Sequence, residues 1–314
     1  MEDYPATLGE LEARFGTEQA CREYLVQLRW PEGFVCPRCR GTSAWTTRRN
    51  LLVCSGCQYQ ASLTAGTIFQ DTRKPLALWF RAIWWVTAQK NGASALGLQR
   101  ILGLGGYFTA WTWLHKLRRA MVRPGRDRLH GRVEVDETYI GGLEEGKRGR
   151  RTETKALIAV ACEEDGKAIG RIRLRRIPDA SALSLQAFMR EAVQSGSVVH
   201  TDGWDGYAGL EARGYQHEVT VLRSSRPTAS ELLPRVHRVA SLLKRWLLGT
   251  HQGAVSARHL DYYLDEFTFR FNRRRSRSRG KLFYRLLQQA VAVEPVPYKA
   301  LVGGSLAKPQ NHNL

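Results

Sequence analysis

Residues 131–140 read GRVEVDETYI, and their alternation decides the fold. In an extended strand, side chains two apart share a face, so Glu134 and Asp136 lie together on one side and Val133 and Val135 on the other. Downstream, ALIAVAC (156–162) is a short apolar strand, Asp165 and Gly166 give a hairpin signal, and AIGRIRLRRI (168–177) alternates again. PDASALSLQAFMREAV (178–193) reads as a capped helix, and GSVVHTDG (196–203) as a buried strand closed by an acid, Asp202. Three strands, a helix, a strand and a later helix define an α/β class with a mixed sheet and flanking helices.

Upstream the pattern is different. Residues 8–29 have the spacing of one helix, stopped by Pro31 and Gly33. Cys36, Cys39, Cys54 and Cys57 follow as C-x2-C, a 14-residue gap and C-x2-C. Two such knuckles close on one tetrahedral ion, and four thiolates leave no open position, so a structural Zn2+ is expected to hold a ribbon there and do no chemistry. PLALWFRAIWWVTAQ (75–89), SALGLQRILGL (94–104) and YFTAWTWLHKLRRAM (107–121) form three short-linked helices, a pattern that fits a helix-turn-helix and also any small α-domain. The tryptophans here are better read as core than as base-stacking groups. RPGRDRLH (123–130) is a linker. The expected domains are an N-terminal helical segment (1–30), a zinc ribbon (31–66), a helix-turn-helix-like domain (67–123), a catalytic domain (131–290) and a tail (291–314).

The 314 residues carry 48 Lys+Arg against 29 Asp+Glu, a net charge of +19, with 43% hydrophobic residues. Such a chain folds, and a polyanion is its simplest partner. No apolar run approaches 18 residues and no signal peptide or lipidation motif is seen, so a membrane partner is not expected and the location expected is cytoplasmic, associated with the nucleoid. Candidate DNA contacts are Arg38 and Arg40 at the first knuckle, Trp111, Lys116, Arg118 and Arg119 on the third helix, and Lys147, Arg148, Arg150 and Arg151 in the charged loop EEGKRGRRTETK (144–155). Lys244, Arg245, Arg273 and Arg274 complete the set, with Asn272 beside them. For any one of these, solvated surface charge is the plain alternative.

Carboxylates at the ends of adjacent strands present oxygen ligands to divalent ions in the crevice beyond a sheet, and two such ions serve phosphodiester displacement. Asp136 and Asp202 are therefore candidate ligands, although either alone is as readily a turn or cap residue. A third ligand is offered by RVHRVASLLKRW (235–246), where His237 stands seven residues, two turns, before Lys244 on the same helix face. Packed histidine is the alternative there, and Glu231 and Glu266 are alternative third acids. His200 could support the site or simply be packed; Trp204 and Tyr207 could stack on bases or floor the loop after Asp202.

With FVCPRC, TAGTIFQ, VEVDETYIGG, HTDGWDGY, SLLKRWLLGTH and HLDYYLDEFTFRFNRR in view, nearly the whole chain resembles the prokaryotic DDE-type insertion-sequence transposases that join an N-terminal zinc ribbon to a ribonuclease-H-like catalytic domain. The resemblance implies catalytic roles for Asp136, Asp202, His237 and Lys244, with Mg2+ or Mn2+ at the acids. His237 falls where most relatives carry Glu, and a neutral imidazole favours Mn2+ over Mg2+. It further implies binding of double-stranded DNA at terminal inverted repeats and at the target, with cleavage and strand transfer by in-line transesterification in a dimer or higher oligomer. Two other readings stay open: a catalytically inactive DNA-binding regulator descended from such an enzyme, which His237 favours, and a nuclease on the same fold, which leaves the N-terminal modules unexplained.

Overall fold

The computed structural model describes residues 3–123, 125–142, 154–220 and 232–303. The chain divides into two compact units, Gly125–Arg275 and a second made of Met1–Pro124 with Ser276–Leu314.

The unit Gly125–Arg275 is built on a five-stranded sheet. Numbering elements along the whole chain, its strands are β4 (Arg132–Ile140), β5 (Ala156–Asp165), β6 (Ala168–Ile177), β7 (Val198–Thr201) and β8 (Gln216–Val219), in the order β6-β5-β4-β7-β8. β4, β5 and β6 pair antiparallel, and β7 and β8 add in parallel, with Arg132 opposite Val198. This is the ribonuclease-H-like mixed sheet. β5 is buried along most of its length because both faces of the sheet are covered. On one face Val133, Val135, Ala159 and Ala161 pack with Leu185, Phe188 and Met189 of α6 (Ala182–Ala192). On the other, Ile158, Val160 and Cys162 pack with Val236, Val239 and Leu243 of α7 (Pro234–His251) and with Tyr263, Phe267 and Phe271 of α8 (Leu260–Asn272). Asp136 lies opposite Val160, and Glu134 opposite Cys162, so both acids face α7.

Asp136 lies inside its strand and not at the strand end expected of such a ligand: β4 continues to Ile140, because its later residues keep pairing with β5. β8 was not anticipated, since QHEV has no apolar alternation. It is held instead by parallel pairing to β7 and by the two-bond ion pair of Arg132 with Glu218, at 2.7 Å each.

In the other unit, residues 8–29 form two helices rather than one, α1 (Leu8–Arg14) and α2 (Glu18–Arg29). Thr17 causes the break: it adopts an extended backbone and its Oγ1 accepts the N–H of Ala20, an N-cap. A three-stranded antiparallel ribbon follows, β1 (Ala44–Thr46), β2 (Leu51–Cys54) and β3 (Gln60–Ser62), and then α3 (Leu76–Ala88), α4 (Ala95–Leu102) and α5 (Tyr107–Ala120). Ser94 caps α4 at its start, and Gly103, at φ 61°, ends it. Trp79 and Trp113 stack at 3.8 Å in the core, as the core reading of the tryptophans requires.

The helix α9 (Arg279–Ala292) belongs to this unit, so the sheet domain stops near 275 and not at the expected 290. Phe283 explains it: the ring is fully buried among Phe15, Phe80 and Trp84. Gly280 passes so close to Pro5 that an added Cβ would lie 1.7 Å from its carbonyl oxygen. A last helix, α10 (Tyr298–Gly303), buries Leu301 within residues expected to be a tail. No described helix is long and apolar enough to cross a membrane.

Candidate functional site

The four cysteines converge. Their sulfurs all lie within 4.8 Å of one another, with Cys36 Sγ 3.7 Å from Cys57 Sγ and Cys39 Sγ 3.5 Å from Cys54 Sγ. Tetrahedral Zn–S bonds of about 2.3 Å require sulfurs about 3.8 Å apart, so the donor set fits Zn2+. The two knuckles repeat one backbone plan. Cys36 N–H donates to Gly41 O and Arg40 N–H to Cys36 O; Cys54 N–H donates to Tyr59 O and Gln58 N–H to Cys54 O. Arg40 and Gln58 accordingly share a positive φ, 64° and 59°. Gly41 passes close to the cluster: a Cβ there would sit 3.4 Å from the sulfurs of Cys39 and Cys54. The Co2+-substituted protein should show thiolate charge-transfer bands that Cys57→Ser weakens; a spectrum without such bands would disprove the four-sulfur site.

In the sheet unit, Asp136 and His237 come together: Nε2 of His237 is 3.6 Å from Oδ2 of Asp136, both half-buried. Asp136 Oδ1 accepts the N–H of Glu137, which leaves Oδ2 turned toward the histidine. Asp202, immediately after β7, accepts the N–H of Trp204 and lies near enough to act electrostatically on His237. Partial burial lowers the pKa of His237, and Lys244 adds to this, while Glu134 and Asp202 oppose it. The imidazole is thus biased toward its neutral, ligating form. Partial burial and the neighbouring cation of Lys155 also lower the pKa of Lys244. Ligands of an octahedral ion at about 2.1 Å stand about 3 Å apart when adjacent and about 4 Å when opposite, and the 3.6 Å separation falls between. Two carboxylates and an imidazole suit Mn2+ or Mg2+. Among the described residues, however, only the cysteines bring three or more such ligand atoms within 4.8 Å of one another.

Of the alternative third acids, Glu266 is fully buried and bonded to Arg270, while Glu231 lies outside the described residues. His200 pairs with Thr220 through Nε2 at 2.7 Å. Tyr207 is buried and donates to Glu137 at 2.8 Å, and burial followed by the charge of Glu137 raises its pKa. Tyr207 is therefore floor and not a base-stacking surface; Trp204 remains 37% exposed.

Sequence reasoning missed the role of Glu134. The side chain is 1% exposed, and its carboxylate accepts the N–H groups of Arg235 (2.7 Å) and Val236 (3.0 Å) and Nη1 of Arg235 (2.6 Å). It caps α7 from another element. That helix starts at Pro234, has no side-chain cap of its own and no acid in its first turn, so Glu134 supplies both the acceptors and the charge its N-terminus lacks. His237 is three residues along.

The candidate DNA contacts divide. Arg38, Arg40, Lys244 and Arg245 are exposed, and Trp111, Lys116 and Arg119 are half-buried, with Trp111 against His115. Burial lowers the pKa of Lys116. Arg118 is 1% exposed and cannot face DNA in this fold: the spacing that puts it on a cationic face also turns it into the helical core, beside His115. Arg274 spends its donors on the carbonyls of Phe271, Gly170 and Ile169, and Arg273 lies over the Phe269 ring with a bond to its carbonyl. Asn272 pairs with both backbone groups of Ile172. Asn272 and Arg274 thus fasten the end of α8 to β6, against the reading of a DNA clamp at these two, while Arg273 lies along its own helix. Lys147, Arg148, Arg150 and Arg151 lie outside the described residues.

A zinc ribbon, a helical domain and a ribonuclease-H-like sheet in which Asp136 meets His237 fix the fold class of the protein. Comparison narrows it. Residues 128–272 match the family model described as ISXO2-like transposase domain, and residues 16–60 that described as transposase zinc-ribbon domain. The chain is also 27% identical over 275 residues to an uncharacterized protein in transposable element ISH50 of Halobacterium salinarum, covering 82% of this chain and 91% of that one. Residues 16–60 and 128–272 are thus a transposase zinc ribbon and a transposase domain, the pairing found in insertion-sequence transposases with an N-terminal zinc ribbon.

Proposed function

We propose that this chain binds the terminal inverted repeats of its insertion sequence and cuts and joins DNA strands at Asp136, Asp202 and His237 by in-line transesterification. The observation that carries the reading is the meeting of His237 Nε2 with Asp136 Oδ2 at 3.6 Å, at the position where the third ligand is required. A divalent ion held there, Mg2+ or Mn2+, supplies activation of the attacking water or 3′-hydroxyl and stabilises the leaving oxygen. The chain's own part is positional. Asp136 and Asp202 offer carboxylate oxygens fixed by the N–H groups of Glu137 and Trp204, and His237 offers a neutral nitrogen. Lys244, exposed on the same helix, binds a phosphate next to the scissile one. Handling two element ends at once calls for a dimer or higher assembly on DNA, and a cytoplasmic, nucleoid-associated location follows from that substrate.

The test is incubation of the full chain with labelled terminal-repeat DNA and Mn2+ or Mg2+, with His237→Ala and Glu266→Gln beside the wild type. Strand transfer, greater with Mn2+ and lost in His237→Ala, is expected. Binding without strand transfer in either metal would favour the inactive regulator, and full activity of His237→Ala would remove the histidine from the ligand set. Lys244→Ala should keep the fold and lose about tenfold in cleavage, the low end of the scale of one hydrogen bond to a charged group; cleavage by the variant at the wild-type rate would count against its assigned role.

A further inference from the structure

Wholly within the sheet unit, and reaching Trp204, whose N–H Asp202 holds, lies an open cavity of about 800 Å³ walled also by Tyr139, Lys155, Arg176 and Ser181. It sits where β4 and β6 end and β5 begins, at the same edge as Asp202. Its volume is within the range of about 300–1,000 Å³ that small-ligand clefts occupy.

The wall carries a prepared aromatic surface. The backbone N–H of Trp204 is bonded to Asp202 Oδ1 at 3.1 Å, and its indole Nε1 donates to Ala180 O at 2.8 Å. Beneath it, Gly206 leaves no room: an added Cβ would lie 2.6 Å from that indole nitrogen and 2.5 Å from Ala180 O. The ring is thus fixed in place while 37% exposed.

The wall is also cationic. Arg176 is steadied by Ala257 O at 3.0 Å and Asp261 at 3.5 Å, and Lys155 is close enough to Lys244 to depress its pKa, which links the cavity to the phosphate position beside the acids. Among the described wall residues the acid, Asp179, is engaged: its Oδ1 accepts from the N–H and Oγ of Ser181 and from Oγ of Ser184.

A fixed aromatic face next to cations accepts a flat ring that carries a phosphate. Resting on the strand-transfer reading, we infer that this cavity takes a single nucleotide of the DNA strand adjoining the scissile phosphate, its base stacked on Trp204 and its phosphate met by Lys155 and Arg176.

An abasic scan tests this. The full chain is titrated with DNA of the element's own end in which each of the three nucleotides on either side of the cleaved bond is, in turn, left unpaired opposite a gap, with its base or as an abasic site, so that lost stacking is not offset by the pairing a duplex base gives up. One position should cost the wild type about 5- to 100-fold in affinity, the range for losing one stacked base. Trp204→Ala should show the same loss on intact DNA and no further loss at that position, and Trp204→Phe should recover most of it. Equal affinities at all six positions in the wild type would overturn the inference without any variant, as would additive losses in Trp204→Ala. Metal-dependent cleavage by the wild type, scored on the same DNA, tests the underlying reading separately: cleavage with a flat scan sinks only the nucleotide site.

Discussion

Asp136→Asn and Asp202→Asn should each lower strand cleavage by about 10³-fold or more while leaving the protein as stable as the wild type, or more so. The first half follows from the chemistry proposed for the pair. Charge stabilisation by a bound ion contributes several kcal/mol in the transition state, and each 1.36 kcal/mol is tenfold in rate. An amide in place of a carboxylate removes both the ligand charge and one of the two oxygens. The second half follows from crowding. Asp136, Asp202, Glu134 and Glu137 are gathered around His237 and Tyr207, and their charges are felt there. Like charges in a half-buried site oppose folding, so neutralising one relieves repulsion without opening a cavity. The measurement pairs cleavage rates with thermal unfolding. Cleavage at wild-type rate by either variant would end the two-aspartate mechanism; lost cleavage together with a large fall in Tm would mean that the acid serves the fold.

How much of this could be read from the chain depends on the range of the interactions involved. The zinc ribbon was legible because four cysteines at fixed spacing specify both the ion and the two turns that hold it. β4 to β7 and α6 were legible because one-sided or two-sided burial writes a period into the residues themselves. The apolar stripe of α7, with Val236, Val239, Ala240, Leu243 and Leu247 buried and His237 at its margin, came through in the same way. What failed was either too short to have a period or decided by a distant partner. QHEV is recruited by its neighbour's backbone, and the break between α1 and α2 rests on one threonine. Arg118, Asn272 and Arg274 read as cations and amides for DNA because their spacing says nothing of what packs over them. In the folded chain Arg118 is enclosed by its own helical domain, while Asn272 and Arg274 reach β6, about a hundred residues away in sequence.

Glu134 is the clearest case, and it yields the largest stability effect. Its alternation with Asp136 announces a shared face and nothing more; only the fold shows that the face meets the first turn of α7, 101 residues later in the chain. Glu134→Ala removes a buried ion pair and, among the described residues, the carboxylate that accepts the first N–H groups of a helix whose N-cap residue makes no side-chain bond. Losing one partner of a buried pair costs about 3–5 kcal/mol. Arg235 keeps the carbonyls of Gly166 and Ala168 and the ion pair with Glu164, so the lower end applies, about 3 kcal/mol. For a unit of this size that is a fall of about 6–12 °C in Tm. Glu134→Gln should fall between, because its amide oxygen can still accept one N–H while its NH2 opposes Arg235. Cleavage should drop in both variants even below their melting range, since His237 rides on the turn that frays, and the loss should be greater for alanine than for glutamine. Thermal unfolding followed with cleavage at low temperature decides it: a Glu134→Ala protein that melts with the wild type would show that α7 needs no cap from β4, and normal cleavage despite a lowered Tm would separate the cap from the placement of His237.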